Sequence, residues 1–98
     1  MDVSFRFQGQ KFVWDVRKAT ANLKKHKVAF ETACEVFFDP FVLLVEAERK
    51  GETREAALGL TENWSLLYVV HVLWEKDSIR IISARNATKR ERKDYENG

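Results

Sequence analysis

The sequence predicts an α+β fold: an antiparallel sheet of about four strands, two N-terminal helices and a C-terminal helix. Three observations carry this expectation. Helical periodicity is confined to residues 15–37, β-rich apolar runs with short connections fill residues 41–83, and Thr88 with Glu91 opens a last, polar helix. With 98 residues, 45% of them hydrophobic, and seven Phe and three Trp, the chain suits one domain, 1–98, around one core.

The elements follow in order. Phe5 and Phe7, then Phe12 and Trp14, alternate around Gly9 and read as a short strand or hairpin. Asp15 supplies an N-cap for a helix over 15–26. Within it Val16, Ala19 and Leu23 fall within about 60° of arc and form the predicted core stripe. Lys18, Asn22, Lys25 and His26 form a neighbouring polar stripe. Lys27 stands where a helix end usually prefers glycine. A second helix is expected from about Phe30 to Phe37, with Ala33, Val36 and Phe37 inward, stopping before Asp39-Pro40. Strands are then expected at 41–45, 54–60, 66–74 and 79–83, with 66–74, the most apolar, at the centre. Their short connections imply an antiparallel meander with the helices on one face. Thr88 and Glu91 make a capping box. The helix they begin has Tyr95 as its only large apolar group and is expected to dock weakly.

Charge is unevenly placed. Residues 17–27 hold five Lys/Arg and no acid, 28–62 hold eight acids against three bases, and 79–98 hold six bases and three acids. Two basic segments flanking an acidic middle can converge on one anion-attracting face. The lone Cys34 lies in an apolar helical pattern and reads as a core thiol, with no intrachain disulfide available. No signal-peptide pattern opens the chain and no apolar run approaches the ~20 residues of a membrane span, so the expected location is the cytoplasm. There is no HxxxH, no CxxC and no cluster of acids at ligand spacing, so no metal and no cofactor are expected.

Arg80 and Arg85 raise the sharpest question. On a regular strand they have opposite parity, so they can serve one site only if the strand ends or bulges between them. A guanidinium offers paired donors matched to a phosphate, and the rival reading pairs both arginines with the acidic segment. His26, at a helix end, either handles a phosphate or proton or simply meets the last carbonyls, and Lys25 either joins it or is merely solvated. His71, inside the most apolar strand, reads as a core histidine. Glu52, in a loop, is either solvated or a general base.

The segments "WD..KA..N..KH.V.FE.A", "DP", "GE.R" and "RIISARNATKRERKDYE" closely resemble the BrnT family of bacterial toxins, over about Phe12 to Glu96. The resemblance implies a RelE-like fold and ribonuclease activity. It also implies a BrnA antitoxin of ribbon-helix-helix type, expected in a heterotetramer built on an antitoxin dimer, with operator DNA reached only through the antitoxin. The candidate catalytic set is then Lys25, His26, Glu52, Arg54, Arg80 and Arg85, with Lys18, Asn22 and Lys89 contacting RNA. Metal-free cleavage would have the ribose 2′-hydroxyl attack its own phosphate while positioned cations stabilise the added charge. Three positions depart from the family pattern. Lys27 stands where glycine is common, Glu55 where an aromatic or aliphatic residue is common, and Asn86 where a base is usual; the last two subtract positive character. The rival reading is a non-catalytic antitoxin-binding module acting in operon repression. A bare RNA-binding protein has less support, because no exposed aromatic platform is legible.

Overall fold

The computed structural model describes residues 1–47 and 54–98. The alternating aromatics at the start form two strands, β1 (Asp2–Phe7) and β2 (Gln10–Asp15). Gln8 and Gly9 turn between them with positive φ at both positions, as a two-residue type I′ hairpin turn requires. Asp15 caps α1 (Val16–His26), its carboxylate accepting from the Arg17 and Lys18 amides. The helix ends on Lys27 in the left-handed region, φ 62° and ψ 26°. An L-residue with a Cβ is strained there, so Lys27→Gly should stabilise the protein by about 1 kcal/mol in urea unfolding.

The expected second helix is split into α2 (Phe30–Ala33) and a 3₁₀ turn, Cys34–Phe38. Cys34 is fully buried, with its thiol donating to the Phe30 carbonyl, and burial pushes its pKa up. Next come β3 (Leu43–Glu46), β4 (Glu55–Leu60), β5 (Leu66–Trp74), β6 (Ser78–Asn86) and α3 (Lys89–Asn97).

The sheet has six strands in the order β1-β2-β6-β5-β4-β3. The β3–β6 meander is antiparallel, as the short connections imply. The four-strand expectation needs correction at the other edge, where β2 pairs parallel to β6, setting Phe12 beside Ile79 and Val13 beside Arg80. The N-terminal hairpin thereby adds two strands and makes the sheet mixed. A parallel pair needs a long crossover, and here it spans most of the chain, so local patterning carries no sign of it.

One face of the sheet carries the core, built from Phe12, Trp14, Leu67, Val69, Ile81 and Ala84 under Phe30 and Val36. α1, α2 and the 3₁₀ turn cover this face. On α1 the predicted stripe is rotated: Val16 is 41% and Leu23 51% exposed, whereas Asn22 is buried and Ala19 packs against the core. The reason lies in β6. Beyond the β2 pairing, Ala84 would have no strand partner on that side. The Asn22 amide donates to the Ala84 carbonyl (2.8 Å) and the Val28 carbonyl (3.0 Å), and accepts from the Ala84 amide (3.0 Å). Its side chain acts as the missing peptide of a neighbouring strand, which an apolar residue cannot do.

α3 lies on the opposite face, correcting the one-face expectation. Its Glu91 pairs with Arg85, and Gly98 approaches the Leu43 side chain, which shares that face with Leu58. Tyr95 docks through its hydroxyl, donating to Asp39 at 2.5 Å. Asp39 also accepts from the amides of Phe41 (2.9 Å) and Leu60 (2.8 Å). Burial opposes ionisation of Asp39, yet the donors from Tyr95, Leu60 and Phe41 hold its pKa below the ordinary 3.8. The Arg85 guanidinium likewise holds Glu91 below its ordinary 4.5. Both carboxylates therefore stabilise the fold fully above those ordinary values, and that stabilisation is lost as pH falls through their lower folded values. Tyr95 is pushed from 10.0 up to about 12, by burial and by Asp39. Its contribution is full below pH 10 and lost as pH rises through about 12. α3 should therefore undock at both extremes, first in helicity by far-UV circular dichroism, with Tyr95→Phe removing the alkaline limb and shrinking the Asp39 share of the acid limb.

No described helix is long and apolar enough to cross a membrane.

Candidate functional site

The parity question is settled by a bulge. Across β5 and β6 the register runs Val70 to Ser83 and then His71 to Ile81, leaving Ile82 as the extra residue. One added residue reverses the alternation of everything after it. Ile81 and Ala84 therefore both face the core, while Arg80 and Arg85 both emerge on the opposite face. Each guanidinium lies over an aromatic ring of β5: Arg80 is 4.7 Å from the Trp74 centroid and Arg85 is 4.2 Å from that of Tyr68. Their cross-strand neighbours, Val72 and Tyr68, are four residues apart, so the two arginines stand about 13 Å apart along the strand.

Arg54 joins the same face. The Ala47 amide donates to the Arg54 carbonyl at 2.8 Å, carrying the β3–β4 ladder one residue past Glu55. Because Glu55 pairs with His71, Arg54 falls beside Val72, whose other neighbour is Arg80. Two strand spacings, about 10 Å, separate these two positions. Glu55 points the other way, its carboxylate 3.4 Å from His71 Nε2, so its charge is turned away from the arginines. His71 is 2% exposed, edge-on to Phe37, with Nδ1 at 3.1 Å from the Val69 carbonyl. It is part of the core face, as its apolar strand suggests.

Both arginines carry carboxylate partners, though not from the acidic middle segment. Asp2 meets Arg80 through paired contacts of 2.9 and 3.0 Å, and Glu91 meets Arg85 through contacts of 2.8 and 2.9 Å. The two pairs differ in how firmly the carboxylate is held. Asp2 is on the edge strand, and its side chain is 52% exposed. Glu91 is 19% exposed and also accepts from the Thr88 amide, while its own amide donates to the Thr88 hydroxyl. Arg80 thus holds an exchangeable anion, whereas Arg85 is tied into the start of α3. The hydrogen bonds raise the pKa of both arginines and lower that of Asp2.

The other candidates are placed apart. Lys18 and Lys25 are exposed and His26 half-buried on α1, on the far side of the sheet from the arginines, so the two basic segments do not merge into one face. Asn22, expected as an RNA contact, has its amide committed to Val28 and Ala84, which removes it from any surface role. Lys89 is exposed at the first position of α3, and Asn86 is exposed just beyond Arg85. Glu52 lies outside the described residues. A residue the sequence leaves unmarked is Trp74, which is 45% exposed beside Arg80.

A cleft of about 260 Å³ opens elsewhere, lined by Phe38, Trp64, Glu35, Asp39 and Glu62. Its carboxylates would repel a phosphate, so it does not suit RNA. Among the described residues, His, Cys, Asp and Glu side chains do not gather in threes at ligand distance. What the arginine face can do is hold phosphates and offset developing negative charge.

A family model described as ribonuclease toxin, BrnT, of type II toxin-antitoxin system, matches residues 14–91. No curated protein matches the chain.

Proposed function

The chain belongs to the BrnT family of ribonuclease toxins of type II toxin–antitoxin systems, and from that premise we propose that it is an endoribonuclease working without a metal. The observation that carries this reading is the β6 bulge, which brings Arg80 to the face of Arg85, where the β4–β5 register also sets Arg54. The substrate's own 2′-hydroxyl attacks the adjacent phosphorus as it gives its proton to water, the P–O5′ bond breaks, and the leaving 5′-oxygen takes a proton from water. Arg80, released from Asp2, grips the phosphate with its paired donors. Arg54, two strands away, adds positive potential as charge accumulates on the phosphoryl oxygens. Arg85 positions α3 and contributes its field. Lys18, Lys25 and Lys89 draw the polyanion in from a distance, with salt-sensitive effect.

A single-deoxy substrate tests the mechanism. Hydrogen in place of the 2′-hydroxyl at the cut should stop cleavage, and EDTA should leave cleavage of ordinary RNA unchanged. The 5′ product should end in a 2′,3′-cyclic phosphate or its opened form. Cutting of the deoxy linkage, or loss of activity on chelation, would return the case to a metal nuclease.

The antitoxin partner of this family is, in our reading, of BrnA type. A ribbon-helix-helix dimer holding two toxins in a heterotetramer would bind operator DNA itself, with both proteins in the cytoplasm. Co-purification after the toxin and antitoxin genes are expressed together should yield that complex, and a toxin eluting alone would refute it. The filled guanidinium forks favour a second reading, a non-catalytic module acting only in repression. Growth arrest without RNA fragmentation would select it.

A further inference from the structure

Four strands place a second set of groups in one row at the open end of the arginine face. Trp74 pairs with Ser78. Continuing the β2–β6 register by one residue sets Lys11 beside Ser78, and Lys11 pairs with Arg6. The row therefore reads Arg6, Lys11, Ser78, Trp74. Neighbouring strands lie about 4.8 Å apart, so the backbone positions of Lys11 and Arg6 stand about 10 and 14 Å from that of Trp74. Ser78 is small and buried, so Lys11 and Trp74 flank a position that contributes no bulk or charge of its own. One row further along the strands stands Arg80, its guanidinium over the indole. Even under that guanidinium Trp74 is 45% exposed.

Resting on the ribonuclease reading, we infer that this row is an RNA subsite flanking the cut. One base stacks on Trp74, its phosphate takes the Arg80 fork in place of Asp2, and the next phosphates run over Lys11 and Arg6. A ring with a cation at hand and further cations at phosphate-scale spacing is how a single strand is held without sequence readout. Arg6 and Lys11 precede the family match at 14–91, so this subsite belongs in part to the chain's own hairpin. Asp2 is then an internal competitor for the phosphate, and its removal strengthens binding.

The test is binding of a dye-labelled, fully 2′-O-methylated RNA strand, which cannot be cut, to the full chain by fluorescence anisotropy. Trp74→Ala should weaken it about tenfold and Trp74→Phe much less. Lys11→Ala and Arg6→Ala should each lower the log–log salt slope by roughly 0.7. Asp2→Asn should tighten binding about two- to fivefold, the worth of an exposed ion pair. In a Trp64→Phe background, RNA should quench the remaining exposed indole. Unchanged affinity in a folded Trp74→Ala protein overturns the subsite, as does weaker binding by Asp2→Asn. Loss of antitoxin binding with RNA affinity intact would make the row a protein contact and overturn it too. Binding that follows these expectations without cleavage of ordinary RNA would leave the subsite standing and refute the ribonuclease reading alone.

Discussion

Arg80→Ala should cut the rate of RNA cleavage by roughly 100- to 1,000-fold, the usual effect of removing one preorganised donor to developing charge. It should lower the melting temperature by only a few degrees, the worth of an ion pair to an exposed carboxylate and of the cover over Trp74. Arg80 sits on the sheet face away from the core, and its partner Asp2 is half in water, so no buried charge is stranded. Lys at this position should recover part of the activity, because charge returns without the paired donors. Arg85→Ala is expected to behave differently. Removing it strips Glu91 of two charge-assisted contacts and exposes the Tyr68 ring it covers, so α3 should loosen and the protein melt lower. Kinetics and melting curves on both variants separate the roles. If Arg85→Ala keeps its helicity and melting point yet loses activity as Arg80→Ala does, Arg85 acts on the phosphate and its pair with Glu91 opens on binding.

The parts of this fold legible in the sequence are those set by near neighbours. Asp15 and Thr88 cap helices where their side chains predict, and the apolar run 66–74 forms the long strand β5. The opposite parity of Arg80 and Arg85 even states the condition, a bulge, under which they share a face. What sequence could not carry is what distant residues decide. The carboxylate on Arg80 comes from Asp2, 78 positions away, and the hairpin that supplies it joins the sheet through a parallel pairing. Trp74 is 45% exposed although it closes the most apolar strand, because its parity turns it to the face away from the core. The α1 stripe also turns on a distant residue: an apolar-periodicity argument cannot know that a strand behind the helix lacks a partner for Ala84.

That last point yields the largest expected loss of stability. Asn22→Ala should destabilise the protein by about 3–4 kcal/mol, since it leaves the Ala84 amide and two carbonyls unsatisfied in a buried setting, at roughly 1–3 kcal/mol for each exposed deficit. In a domain of this size about 3 kcal/mol lowers the melting temperature by roughly 12–24 °C. Asn22→Asp discriminates further. The carboxylate can still accept from the Ala84 amide, but it faces the Val28 and Ala84 carbonyls that the amide nitrogen serves. Ionised, it sets a charge against two dipoles of the wrong sign; protonated, it can donate to only one of them. Asn22→Asp should therefore be unstable at neutral pH and partly rescued in mild acid, where Asp39 and Glu91 still contribute in full. Thermal melts of both variants from pH 5 to 8 would show it. A protein carrying Asn22→Ala that melts like the parent, and has lost only RNA affinity, would place this side chain back on the surface as an RNA contact.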